Sequence, residues 1–389
     1  MSKYTSRIVS LLLTFVFLLM LTACDSPGSK PFPNPSITTT STTRPSPTTT
    51  ETTTEQIIID EPITVTKYSD LAYGSDGAQK LDLYLPSNAS KQAHNGLVLV
   101  LHGGAWVEGD KASLADKWER LADEGYIVAS MNYRMPHYSI NDMISAFTSY
   151  GVMGLYKFYT SIASQGLNAY TICDDIDDAI GYLASWFRTN GINVDGIALG
   201  GESAGAHEAM LYAYNTRKYH PAIDIKFVID RSGPCNMDPD LWVPVYESNF
   251  KLLTLINKDL DAATASKYYV TGLDCLLAGS SAPAAYVYPQ FAAFLPYTSE
   301  QGWNEICGIS PVSYVNASTV PTIFCYGEND TTVPNTSAAT LKNAFDKAGN
   351  HNYEYFSYAR SGHLLQLDPA TEAQYKVTLD SWLDTYFGY

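Results

Sequence analysis

Gly196-Ile197-Ala198-Leu199-Gly200-Gly201-Glu202-Ser203-Ala204-Gly205 is the stretch on which the reading of this chain turns. A short apolar run ends in glycines, a serine follows, and small residues lead into a segment that reads as a helix. A serine at a sharp strand-to-helix bend is the setting of a nucleophile elbow. The serine of such a bend takes a strained backbone conformation, so its neighbours must be small, and Gly201, Ala204 and Gly205 meet that need. The start of the following helix adds a field that favours negative charge. Gly-x-Ser-x-Gly also arises by chance, so its meaning depends on what lies to either side.

Upstream, Leu97-Val98-Leu99-Val100-Leu101 is continuously apolar, as a strand covered on both faces should be. It runs into His102-Gly103-Gly104. An oxyanion needs backbone N–H groups free to point at it, and glycines let the chain turn and the substrate approach. Gly103 or Gly104, together with Ala204 just after the serine, are the candidate donors; the bland alternative is a glycine turn closing a strand. Downstream, the serine needs a base, and the base an orienting acid. Of seven histidines, only His220, His351 and His363 lie well beyond the elbow. His220 precedes Pro221, and His351 sits in the polar turn Gly-Asn-His-Asn. His363 follows Ser361-Gly362 and the strand-like Tyr353–Tyr358, and is the candidate base. For the acid, Asp330 follows the apolar run Thr322–Tyr326, and Asp230 at the end of Phe227-Val228-Ile229 is the fallback. Ser203, Asp330 and His363 then fall in the order serine, acid, histidine.

The remaining sequence keeps the same rhythm. Lys80–Leu85 alternates in period two, as a half-exposed antiparallel strand should. Helical spacing over about 112–124 leads to a strand at 126–131, and Ile176, Ile180, Leu183 and Phe187 share one helical face. Further helices are expected near 336–348 and from about 369. Antiparallel first strands followed by strand–helix units indicate an α/β fold, a mostly parallel central sheet flanked by helices. Residues of about 135–172 and 232–318 interrupt the alternation where short loops would suffice. Segments this long are usually functional, and both leave the carboxyl ends of strands, where sites in such sheets lie. They read as helical lid insertions in a single domain spanning 57–389.

The N-terminal part has another character. Lys3 and Arg7 precede an apolar run from Ile8 to Leu21, which ends in Leu-Thr-Ala-Cys. Residues 1–24 read as an export signal too short for a comfortable span. The ending resembles a lipobox, which implies that Cys24 is lipidated and holds an extracytoplasmic bacterial lipoprotein to a membrane; a plain signal peptide ending near a cysteine is the alternative. Residues 25–56, rich in Thr and Pro, cannot form a core and read as a disordered tether. The net charge of −16 argues against nucleic acid as a partner and disfavours polyanions. The 29 tyrosines suit a surface that grips sugars or aromatic acids. Among the other cysteines no Cys-x-x-Cys pair suggests zinc. Cys275–Cys307 and Cys173–Cys235 remain open as disulfides, whereas Cys325, inside an apolar run, reads as a buried thiol.

With these pieces in place, the chain resembles α/β hydrolases of the hormone-sensitive-lipase-like esterase group, and especially the bifunctional feruloyl and acetyl-xylan esterases. The matching text includes Leu81-Asp82-Leu83-Tyr84-Leu85-Pro86, His102-Gly103-Gly104-Ala105-Trp106, Gly109-Asp110-Lys111 and Asn132-Tyr133-Arg134. It continues through Asp174-Asp175, Asp177-Asp178-Ala179, Gly201–His207, Tyr326–Pro334 and Gly362-His363. The resemblance implies Ser203, Asp330 and His363 as the triad, Gly103, Gly104 and Ala204 near the oxyanion, and no metal or organic cofactor. It implies hydrolysis of short-chain or carbohydrate-linked acyl esters, acetyl or feruloyl, through an acyl-enzyme. Ala105 stands where many relatives have a third glycine, and Glu202 where Asp or Gly is common. A serine peptidase on the same fold and a non-catalytic binding protein are the competing readings. Because a working histidine must be unprotonated, activity is expected to fall below about pH 6.

Overall fold

The computed structural model describes residues 62–89, 94–136, 142, 145–146, 152–254, 261–287 and 298–387. The proposed signal segment 1–24 with Cys24, and the tether 25–56, lie outside the described residues. Eight strands form one sheet: β1 (Val65–Ala72), β2 (Lys80–Pro86), β3 (Gly96–Leu101), β4 (Ile127–Met131), β5 (Gly196–Glu202), β6 (Ile225–Arg231), β7 (Thr322–Gly327) and β8 (Tyr353–Tyr358). Their spatial order is β1-β2-β4-β3-β5-β6-β7-β8. β2 pairs antiparallel with β1 and β4, and every pairing from β4 to β8 is parallel. This is the α/β-hydrolase fold.

The helices are α1 (Ala115–Asp123), α2 (Val152–Ala163), α3 (Ala169–Thr189), α4 (Ala204–Tyr214), α5 (Pro239–Thr254), α6 (Ala262–Ala278), α7 (Ala282–Val287), α8 (Ser299–Gly308), α9 (Ser337–Lys347) and α10 (Pro369–Phe387). The continuous apolar run of β3 is explained by two cores. Leu97, Leu99 and Leu101 face the side covered by α3 and α4, whereas Val98 and Val100 face α1 and α10. β2 departs from the half-exposed strand that its alternation suggests, because nearly all of its residues are buried. The polar position is an ion pair instead of a wet face: Asp82 accepts from Lys111 at 2.8 Å and lies 3.4 Å from Lys67.

The interrupting segments are largely helical where described. The 135–172 segment holds α2 and the start of α3; the 232–318 segment holds α5 to α8 and a 3₁₀ turn at Pro311–Tyr314. α6 packs against both α2 and α5, so the two insertions share one layer. Of the tyrosines in the 135–172 segment, Tyr138 and Tyr150 lie outside the described residues. The open disulfide pairings are not formed: Cys173, Cys235, Cys275, Cys307 and Cys325 are all free. Cys173 instead donates to Glu208 at 3.5 Å, and Cys235 to the Ser337 carbonyl at 3.3 Å.

Candidate active site

The elbow lies at the carboxyl end of β5, in the middle of the sheet. Ser203 takes φ +53° and ψ −121°, a left-handed conformation that non-glycine residues avoid. Its N–H is held by the Arg231 carbonyl at 2.9 Å, which ties the bend to β6. The turn is so tight that a Cβ on Gly201 would overlap the Gly205 backbone. The first helical bond across the bend runs from His207 N–H to Ser203 O at 3.0 Å. The Ala204 N–H, at the first position of α4, therefore has no acceptor within its own helix.

Two loops bring the other expected residues to this serine. His363, after β8, places Nε2 2.9 Å from Ser203 Oγ. Asp330, after β7, places Oδ2 2.8 Å from His363 Nδ1. The other Asp330 oxygen accepts the Thr332 and Val333 N–H groups at 2.8 and 3.0 Å, so the carboxylate is fixed before the imidazole meets it. The His363 and Asp330 side chains are 4% and 1% exposed, which shields their contact from water. Asp230, the fallback acid, is elsewhere: it accepts from Gly233 N–H and from the Tyr326 hydroxyl, both at 2.7 Å. His351 is at the surface beside Asp346, 3.3 Å away.

The glycine loop after β3 faces the elbow. A Cβ on Gly103 would lie 3.2 Å from that of Ser203. Gly104 has φ +126°, and any side chain there would overlap the Glu108 carbonyl. The loop is braced from behind by His102, whose Nδ1–H donates to Gly103 O at 2.7 Å. Across a trans peptide, N–H and C=O point in opposite directions. The Gly104 N–H is thereby turned away from His102. Burial pushes the His102 pKa down and keeps the ring neutral. That ring stacks on Tyr133 at 4.4 Å, and the Tyr133 hydroxyl donates to His102 O at 2.9 Å. Arg134 beside it is clamped by Asp175 at 2.6 Å.

Two sets of residues around the site escaped the reading from sequence. Glu202, next to the serine, pairs with Lys117 at 2.6 Å and lies 3.8 Å from Arg231. Arg231 also meets Glu372 at 3.1 Å and lies over the Tyr375 ring. These groups and Leu364 line a cavity of about 400 Å³ between α1 and α10. On the other side of the sheet, Trp106, His207, Glu208 and Cys173 form a buried polar cluster. The only signal for it in the sequence is a His-Glu pair inside an otherwise apolar helix.

Comparison with known proteins points to serine hydrolases and esterases. The BD-FAE family model matches residues 81–144, and the serine hydrolase (FSH1) family model matches residues 156–364. A probable isoprenylcysteine alpha-carbonyl methylesterase of Oryza sativa subsp. japonica is 32% identical over 138 residues, covering 35% of this chain and 26% of that protein. The chain thus spans about a quarter of the length of the curated relatives it matches. Among solved structures, a truncated carbohydrate esterase from gut microbiota is 17% identical with a TM-score of 0.54, covering 84% of this chain and 98% of that one. Esterase B from Lactobacillus rhamnosis is 16% identical with a TM-score of 0.52, covering 82% and 87%. These two likenesses are of fold. The serine hydrolase (FSH1) match runs from α2 to just past His363 and takes in more than half of the sequence, so the chain belongs to that serine hydrolase family.

Proposed function

We propose that this protein is a carboxylic-ester hydrolase that works through an acyl-enzyme, with Ser203 as nucleophile, His363 as general base and Asp330 as its orienting acid. The observation that carries the reading is the continuous relay, 2.8 Å from Asp330 to His363 and 2.9 Å from His363 to Ser203. His363 Nε2 takes the Ser203 proton as Oγ attacks the ester carbonyl. The negative charge that forms on the carbonyl oxygen is met by the Ala204 N–H and by Gly103 or Gly104. The imidazolium returns its proton to the departing alcohol. Water, deprotonated by the same nitrogen, then attacks the acyl group, and the serine leaves as the acid is released.

Short acyl esters are the substrate class, with acetyl or feruloyl groups on a carbohydrate as the specific proposal. Its support is the resemblance to feruloyl and acetyl-xylan esterases and the fold shared with a carbohydrate esterase. Lipidation at Cys24 and a tether over 25–56 would hold such an enzyme outside a bacterial cell within reach of a polymer; this is likewise a proposal. Ser203→Ala should abolish turnover of p-nitrophenyl acetate and covalent labelling by a fluorophosphonate. A Ser203→Ala protein that cleaves the ester at the wild-type rate overturns the assignment, and cleavage of aminoacyl amides without ester hydrolysis replaces it with a peptidase. Acetyl release from acetylated xylan, compared with turnover of a free short-chain ester, tests the polymer.

A further inference from the structure

A second histidine–carboxylate pair stands one helical turn beyond Ser203. His207 and Glu208 on α4 are wholly buried. His207 Nδ1 lies 3.1 Å from Trp106 Nε1, which can only donate, and Nε2 lies 2.8 Å from Ile309 O, which can only accept. The Nε2–H therefore donates to the Ile309 carbonyl, and Nδ1 faces the indole N–H. Glu208 Oε1 is 3.2 Å from the same Nδ1, and the Trp106 N–H faces this carboxyl as well. The Cys173 thiol closes the far side of Glu208. No substrate reaches these groups, yet they grip a critical point. Trp106 and Ala105 end the glycine loop with φ of +64° and +50°. Two successive non-glycine residues in that region persist only where their surroundings hold them.

We propose that His207 and Glu208 are positioning residues for the oxyanion loop: by holding the Trp106 indole they keep the Gly103-Gly104 backbone at the distance that stabilises the transition state. Through Ile309 the same ring joins the loop and the nucleophile helix to the inserted helices. This rests on the assignment of Ser203 as nucleophile. It adds that the N–H groups facing the substrate are placed from behind by a histidine that transfers no proton.

The test is a set of variants assayed with p-nitrophenyl acetate beside the Ser203→Ala control. Trp106→Phe keeps an aromatic ring but removes the N–H; His207→Ala removes the acceptor; His207→Asn restores a side-chain oxygen near the Nδ1 position. Trp106→Phe and His207→Ala should each lower kcat about 10- to 100-fold with KM nearly unchanged, because a displaced donor is felt mainly in the transition state. The double variant should be no worse than its worse parent, since both cut one link. His207→Asn should recover most of the loss. Affinity for a boronic acid that forms a tetrahedral adduct should weaken in parallel with kcat. Folded Trp106→Phe and His207→Ala proteins with wild-type kcat, or losses that multiply in the double variant, overturn the proposal. If His207→Ala does not fold, the contrast of Trp106→Phe with His207→Asn decides: equal kcat in the two overturns it. Activity surviving in Ser203→Ala would instead strike at the nucleophile assignment.

Discussion

His363 with Asp330 and His207 with Glu208 are built from the same chemical groups, close to the same serine, and are put to different use. Asp330 holds His363 by Nδ1 at 2.8 Å, and Nε2 is left to face a hydroxyl that can give up a proton. In the second pair Nε2 is consumed by a backbone carbonyl and Nδ1 receives an indole N–H. The difference is one of support. His363 and Asp330 stand on loops that end parallel strands, where side chains from separate segments converge on Ser203. His207 and Glu208 stand on α4, a helix buried on every side. An imidazole next to a carboxyl becomes a base only if its other nitrogen meets a group it can deprotonate.

The largest effect that could break this contrast is expected at the base itself. His363→Ala should lower kcat by about 10⁴- to 10⁶-fold, as loss of a triad member does elsewhere. Asp330→Asn should cost about 10⁴-fold, because an amide N–H facing Nδ1 selects the wrong tautomer. Steady-state turnover of p-nitrophenyl acetate measures both, and an Asp330→Asn enzyme close to wild type would remove the distinction between Asp330 and the other buried acids. A smaller loss, about 10²-fold, is expected for Gly104→Ala, where the added methyl collides with the Glu108 carbonyl and φ is +126°. Smaller again is Glu202→Gln. Its partner Lys117 is about half exposed, so the pair is worth at most about 1 kcal/mol, and kcat should stay within about threefold of wild type. Chemical denaturation and kinetics together measure that variant.

How much of this was open to a reader of the sequence follows from the range of each signal. The serine, the glycine loop and the order of acid and histidine each follow a strand, and a local apolar run identifies a strand. β1 was harder: Val65-Thr66-Lys67-Tyr68 is an edge strand with mostly exposed residues, so it carries no apolar run. Asp82 read as a wet position because nothing in the alternation of β2 reveals Lys111, which neutralises it from another segment. Arg231 and Glu372 lie 141 residues apart. His207 was set aside as a base by its position in the chain, and its tie to Trp106 depends on a helix turning the ring toward a loop 101 residues upstream. Local pattern places Ser203, Asp330 and His363; the groups that hold them are matched only in three dimensions.

Asp230 gives the finest version of the comparison, as a third buried acid at the end of a neighbouring strand. Burial raises its pKa to about 7, opposed by hydrogen bonds from Tyr326 and Gly233. The Tyr326 oxygen lies 2.7 Å from Asp230 Oδ2 and 2.6 Å from Gly233 O, and a phenol has one proton to share between them. A protonated Asp230 resolves the shortage by supplying its own. Since the folded pKa lies above the unfolded value of about 3.9, the contribution to stability is fully present below that pH. It declines as pH rises and is lost once pH passes the folded value of about 7. Asp230→Asn keeps an acceptor for Gly233 and a donor for Tyr326 but cannot ionise. Urea midpoints from pH 4 to pH 8 should therefore fall less steeply for Asp230→Asn than for the parent, with kcat on p-nitrophenyl acetate unchanged within about twofold. Parallel profiles would mean that Asp230 titrates alike in the folded and unfolded chain. A loss of kcat approaching that of Asp330→Asn would return Asp230 to contention as the acid.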